Sequence, residues 1–151
     1  MKSIYIHANV ITRIKQTICK YDAESGGVLA SDSKGRIVDF YFDYGAGTGN
    51  ISYVPCVSAI NCVVNSHWYP LGLDFRGIIH SHPLNTPFSP SKKDILAAEA
   101  ILDNCNIKKM LMIITQGDHI KAWELQQDHT LSLCSIIPFN TLNQHLPHLY
   151  T

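Results

Sequence analysis

Gly77-Ile78-Ile79-His80-Ser81-His82-Pro83, followed after a short loop by Ser91-Lys92-Lys93-Asp94, is the stretch on which the reading of this 151-residue chain turns. Side chains alternate along an extended segment, so His80 and His82 project to one side and Ser81 to the other. Phe75 to Ser81 is expected to be a short strand, and a proline-rich loop follows through Pro90. A helix is expected from about Lys92 to Asn104, with Ile95, Ala98 and Leu102 on one side. Asp94 lies in the first turn of that helix and can return to the point the two imidazoles face, because the loop reverses the chain. Two His and one carboxylate, with a fourth position left for water, make a usual catalytic zinc arrangement. A blander reading stands beside it. Ser91-Lys92-Lys93-Asp94 also matches a helix capping box, in which Ser accepts from the backbone and the acid reaches back. The capping box accounts for Ser91 and Asp94 without metal, and the two readings are compatible.

Working outward, Val10, Ile11, Ile14 and Ile18 recur at helical spacing and predict an amphipathic helix from about Ala8 to Cys19. Gly26 to Ser31 and Ile37 to Tyr44 flank the turn-rich Asp32-Ser33-Lys34-Gly35 and predict a hairpin. In its second strand Val38, Phe40, Phe42 and Tyr44 alternate with Asp39, Tyr41 and Asp43, which predicts one apolar face. Gly45 to Asn50 reads as a flexible loop without the spacing of a phosphate cradle. Val57, Ile60, Val64 and Trp68 mark a second helix, stopped near Pro70. Met110 to Thr115, His119 to Leu125 and Leu131 to Ile137 predict three further strands, with an irregular tail after Pro138. Mixed helix and strand in this order predict an α/β domain, a sheet covered by helices, over residues 1–137, and a tail over 138–151.

The bulk numbers exclude several classes. Lys plus Arg and Asp plus Glu are both 12, so no global charge draws the protein to nucleic acid or an anionic membrane. Five cysteines, with no Cys-x-x-Cys pair, argue for a reducing compartment and against a disulfide framework. Neither a long apolar start nor a run able to span a bilayer is present, and a cytoplasmic location is expected.

A hydrolase needs a base near its activated water, and Glu24 opens Glu24-Ser25-Gly26-Gly27-Val28-Leu29 just before a predicted strand. By itself Glu24 would be read as a solvated surface acid. Its claim comes from the combination. Glu24 before a glycine-containing strand, then His80-Ser81-His82-Pro83, then Ser91 with Asp94, resembles the JAMM (MPN-plus) metalloprotease family. The specific part of the resemblance covers about 70 residues, Glu24 through Asp94. The segment from Pro83 to Pro90 is one residue longer than is usual in that family, which leaves Ser89 as a lesser substitute for Ser91.

The resemblance implies a JAB1/MPN, cytidine-deaminase-like fold: a mixed curved sheet flanked by helices. It implies Zn2+ held by His80, His82 and Asp94, with Glu24 moving the proton and the Ser91 hydroxyl steadying the oxyanion. It further implies hydrolysis of a peptide or isopeptide bond after the C-terminal glycine of a ubiquitin-like protein. Adenylating (E1-like) or conjugating (E2-like) enzymes are the expected associates. Tyr53, Trp68 and Phe88 are candidates for the wall of a groove holding the glycine-ending tail, although Trp68 at helical spacing reads more readily as core. Two alternatives remain open: processing of a ubiquitin-like sulfur carrier by the same site, and a catalytically silent scaffold of the same fold. A deaminase is disfavoured because no Pro-Cys-x-x-Cys supplies its thiolates.

Overall fold

In the computed structural model of the chain the described residues are 1–20, 24–46 and 53–140. Part of the glycine-rich loop and the tail with His145 and His148 lie outside them. Chain order runs β1 (Lys2–His7), α1 (Ala8–Gln16), β2 (Gly26–Ser31), β3 (Ile37–Phe42), α2 (Val57–Val63), β4 (Asp74–Ser81), α3 (Lys92–Cys105), β5 (Lys109–Gln116), β6 (His119–Gln126) and β7 (Leu131–Phe139). Strands β2 and β3 form the expected antiparallel hairpin, and β5, β6 and β7 a meander. Among the described residues no helix is long and apolar enough to cross a membrane.

The expected curved sheet flanked by helices is not what these strands build. They close into a barrel in the order β1-β3-β2-β4-β5-β6-β7, mixed in direction and accompanied by few helices. Closure depends on Lys2–His7, which the sequence reading did not assign as a strand. This segment pairs in parallel with β7 from Lys2↔Cys134 to His7↔Phe139, and reaches β3 through Ile6↔Ile37. Without it β7 would present an open edge of unpaired amides and carbonyls. Pairing with β1 also carries β7 two residues beyond Ile137, to Phe139.

Burial follows the alternation of the strands. Ile6, Leu29, Phe40, Ile79, Leu111 and Ile113 fill the barrel with Val10 and Ile14 from α1. Val28, Ala30 and Val38 pack outward against Val63, Val64 and Trp68 of the α2 region. Met110 and Met112 pack against Ala98 and Leu102 of α3. The α2 helix continues through a π turn, Val64–Trp68, and a 3-10 turn, Tyr69–Leu71, to Gly72 at φ 74°, where the left-handed backbone favours glycine. The single apolar face expected of Val38, Phe40, Phe42 and Tyr44 does not form. With a register shift in the β2–β3 pairing, Val38 packs outward while Phe40 and Phe42 enter the barrel. Tyr44 is exposed in a turn beyond β3. Asp39 is buried because Trp68 Nε1 donates to its Oδ2 at 2.9 Å and Arg13 Nη1 to its Oδ1 at 2.8 Å. Trp68 is accordingly a core residue.

Candidate metal centre

Along β4 the side chain of Ile79 enters the barrel, so Ile78, His80 and His82 belong to the outer face and Ser81 to the inner one. The outer face at the end of β4 meets the first turn of α3. There Ser91 and Asp94 form the capping box: Asp94 N donates to Ser91 Oγ at 3.1 Å and Ser91 N to Asp94 Oδ2 at 2.8 Å. The same carboxylate faces the two rings. His80 Nε2 stands 3.2 Å from Asp94 Oδ1, and His82 Nε2 3.0 Å from Asp94 Oδ2. The two Nε2 atoms are 3.0 Å apart.

The donor set fits a metal ion. His82 Nδ1 donates to the Pro87 carbonyl at 3.1 Å, which turns the lone pair of a neutral ring's Nε2 toward His80 and Asp94. His80, His82 and Asp94 offer ligand atoms that all lie within 4.8 Å of one another. Electron-rich atoms this close need a proton or a cation between them. Nitrogens bound to a tetrahedral ion at about 2.0–2.1 Å would stand roughly 3.3 Å apart, near the spacing of these rings. A proton can serve in place of a cation there, and the two compete for the same atoms. Burial alone would raise the Asp94 pKa, but hydrogen bonds from both imidazoles outweigh it and hold the carboxyl well below its ordinary value. Asp94 in turn raises His82 above the usual imidazole value, against burial.

Glu24 lines the same cleft, a cavity of about 1160 Å³ that also takes in His80, His82, Ser91 and Asp94. Its place follows from the pairing of β2 with β4, which sets Gly26 opposite His80. Ser81, on the inner face, locks that register: its N–H donates to Ser25 O at 2.9 Å, and its Oγ accepts from Ser25 N at 3.0 Å. Tyr53 N donates to Glu24 Oε2 at 3.0 Å. The five residues singled out in the sequence therefore border one cleft. Of the proposed wall residues, Tyr53 lines it. Phe88 lies instead beneath Lys121, 4.5 Å from ammonium to ring centre, and Trp68 is buried in the core.

Sequence reasoning missed the supports. Gln116 Nε2 donates to Pro83 O at 2.8 Å and Thr86 O at 2.7 Å, holding the longer loop whose Pro87 carbonyl orients His82. The loop delivers Ser91 to the helix cap, while Ser89 also borders the cleft. Nothing local marks Gln116, at the end of β5, as belonging to this site.

No protein-family description matches the chain, and no curated protein sequence does. Solved structures do. The chain is similar to protein DSY2949 from Desulfitobacterium hafniense, with a TM-score of 0.70 and 16% identity over 94% of this chain and 97% of that one. It is also similar to AF2198, a JAB1/MPN domain protein from Archaeoglobus fulgidus, with a TM-score of 0.50 and 14% identity over 91% of this chain and 99% of that one. At such identities the likeness speaks for a shared fold and leaves the chemistry to the residues.

Proposed function

We propose that the protein is a zinc-dependent hydrolase that cleaves the peptide or isopeptide bond after the terminal glycine of a ubiquitin-like protein. The observation that carries this reading is the convergence of His80, His82 and Asp94 in a cleft that Glu24 also borders. His80 Nε2, His82 Nε2 and the Asp94 carboxylate would hold the ion. Zinc so held supplies acidification of a water and polarisation of the scissile carbonyl. Glu24 takes the water's proton on its carboxylate and passes it to the leaving amine. Ser91 Oγ accepts the Asp94 N–H, which leaves its own proton free to donate to the oxyanion. The cleft exceeds a small-molecule pocket of about 300–1,000 Å³ and suits a peptide tail.

The test separates binding from chemistry. Purified protein should carry about one zinc per chain by elemental analysis, as a three-ligand site requires. His82→Ala should lose the metal, and retention of full zinc would overturn the ligand assignment. Glu24→Gln should keep zinc and lose cleavage of a ubiquitin-like fusion by about 100-fold or more. Full zinc with no turnover of any such fusion would favour a binding scaffold.

A further inference from the structure

Asp43, just past β3, is 1% exposed. Its Oδ2 accepts from the Tyr53 hydroxyl and from the Cys56 N–H, both at 2.8 Å, and its own N–H donates to Gly26 O at 2.9 Å. One residue thus joins the end of β3 to the start of β2 through its backbone and to the segment that leads into α2 through its carboxylate. Among the described residues no hydrogen-bond partner reaches its buried Oδ1. A half-satisfied buried carboxylate is a costly way to fill space, and its cost is explained if the satisfied oxygen holds something that must not move.

What it holds is Tyr53. A β-carbon on Gly26 would come 2.5 Å from Tyr53 Cε2 and 2.6 Å from Cδ2, so the ring lies directly on the glycine backbone. Burial pushes the Tyr53 hydroxyl pKa up, and the Asp43 hydrogen bond adds to this, so the group stays a donor. From that fixed position the Tyr53 backbone N–H reaches Glu24 Oε2. Glu24 is otherwise a long side chain on a strand approach, with several rotamers open to it.

We propose that Asp43 and Tyr53 are a positioning pair for Glu24. The hydroxyl-to-carboxylate bond pins the ring on Gly26, and the pinned residue presents its N–H to Oε2, leaving Oε1 for the proton. The proposal rests on the reading of Glu24 as the base, and it assigns neither Asp43 nor Tyr53 a contact with substrate.

Tyr53→Phe in the full-length, zinc-loaded protein removes only the hydroxyl. The activity probe is a ubiquitin-like protein whose terminal glycine is joined to the lysine of a fluorescent peptide. The expected result is a kcat about tenfold lower with KM and zinc content unchanged. Amide 53 should also exchange with solvent about tenfold faster by NMR. Asp43→Asn, which keeps a carbonyl acceptor for the hydroxyl, should lie closer to wild type than Tyr53→Phe in both readouts. A merely structural role would lower the melting temperature without moving kcat of the folded protein. Wild-type kcat and wild-type amide exchange in Tyr53→Phe would overturn the proposal. If the wild-type protein does not turn over the probe, the hydrolase reading fails, and amide 53 still decides. Faster exchange in both Glu24→Ala and Tyr53→Phe supports the clamp, and unchanged exchange overturns it.

Discussion

Asp94 Oδ2 takes the Ser91 N–H at 2.8 Å and faces His82 Nε2 at 3.0 Å, so the capping reading and the ligand reading describe one arrangement. The N-cap fixes the carboxylate before any ion arrives, which lowers the ordering cost of binding. Residues of this kind were legible in sequence because their partners lie within one loop. Gln116 was not, since its targets Pro83 and Thr86 are 33 and 30 residues away along the chain. Its removal tests how far ligand orientation depends on the loop. Gln116→Ala removes the side-chain donor to Thr86 O and one donor to Pro83 O, which also accepts from Thr86 N and Oγ1. It so loosens the loop whose carbonyl fixes the His82 tautomer. Zinc affinity should fall about tenfold, the lower end of what outer partners of a metal site cost. Global stability should fall by only about 1 kcal/mol, the worth of an ordinary hydrogen bond. Competition against a chromophoric chelator measures the first and urea unfolding the second; unchanged affinity would show that Pro87 holds its place without Gln116.

At the scale of elements, β4 shows why local pattern sufficed in some places. Its apolar run, the proline-rich stop and the Ser91 cap all lie in adjacent sequence, and β4 and α3 formed within a residue or so of the expected limits. The α2 region likewise ends close to Pro70, although the residue that stops it is Gly72, in the left-handed conformation, and not the proline. Lys2–His7 failed for the opposite reason. Ile4 and Ile6 alternate correctly, but the segment becomes a strand only by pairing with residues more than 120 positions away. Glycine in β4 also has a reason visible only in three dimensions. A β-carbon on Gly77 would sit 2.2 Å from the Leu111 carbonyl oxygen, in the parallel pairing of β4 with β5. Backbone cannot step aside as a side chain can. Gly77→Ala should therefore cost about 2–3 kcal/mol, the upper range of overpacking, and lower zinc occupancy because the same strand carries His80. Thermal unfolding of the metal-free variant checks this, and a melting temperature within a degree or so of wild type would contradict the forced strand separation.

For the whole molecule, the barrel joins its first strand to its last, and a buried charge cluster lies across that closure. Glu124 of β6 is 0% exposed; it receives Lys2 Nζ of β1 at 2.6 Å and Arg76 Nη2 of β4 at 2.8 Å. Burial works to raise the Glu124 pKa, but Lys2 and Arg76 outweigh it, and the carboxyl titrates below its ordinary value of 4.5. A carboxylate with a depressed folded pKa contributes stability that is fully present above the unfolded value and lost as pH falls through the folded one. The cluster should therefore hold the barrel at neutral pH and weaken below about 4.5, the ordinary value of the group. Glu124→Gln retains the shape and removes the charge, leaving Arg76 buried with no anionic partner in this cluster. At pH 7 the variant should be about 3 kcal/mol less stable, as for a buried pair broken on one side. As pH falls below the ordinary glutamate value toward the depressed folded one, the advantage of the charged carboxyl is progressively lost, so the gap should narrow. Urea unfolding of both proteins from pH 7 down to about pH 3, where an ordinary glutamate is protonated, reads this directly. A gap that stayed constant over that range would mean the contribution of Glu124 is packing rather than charge. Because the comparison is between two proteins at each pH, the many other carboxyls that titrate in acid cancel from it.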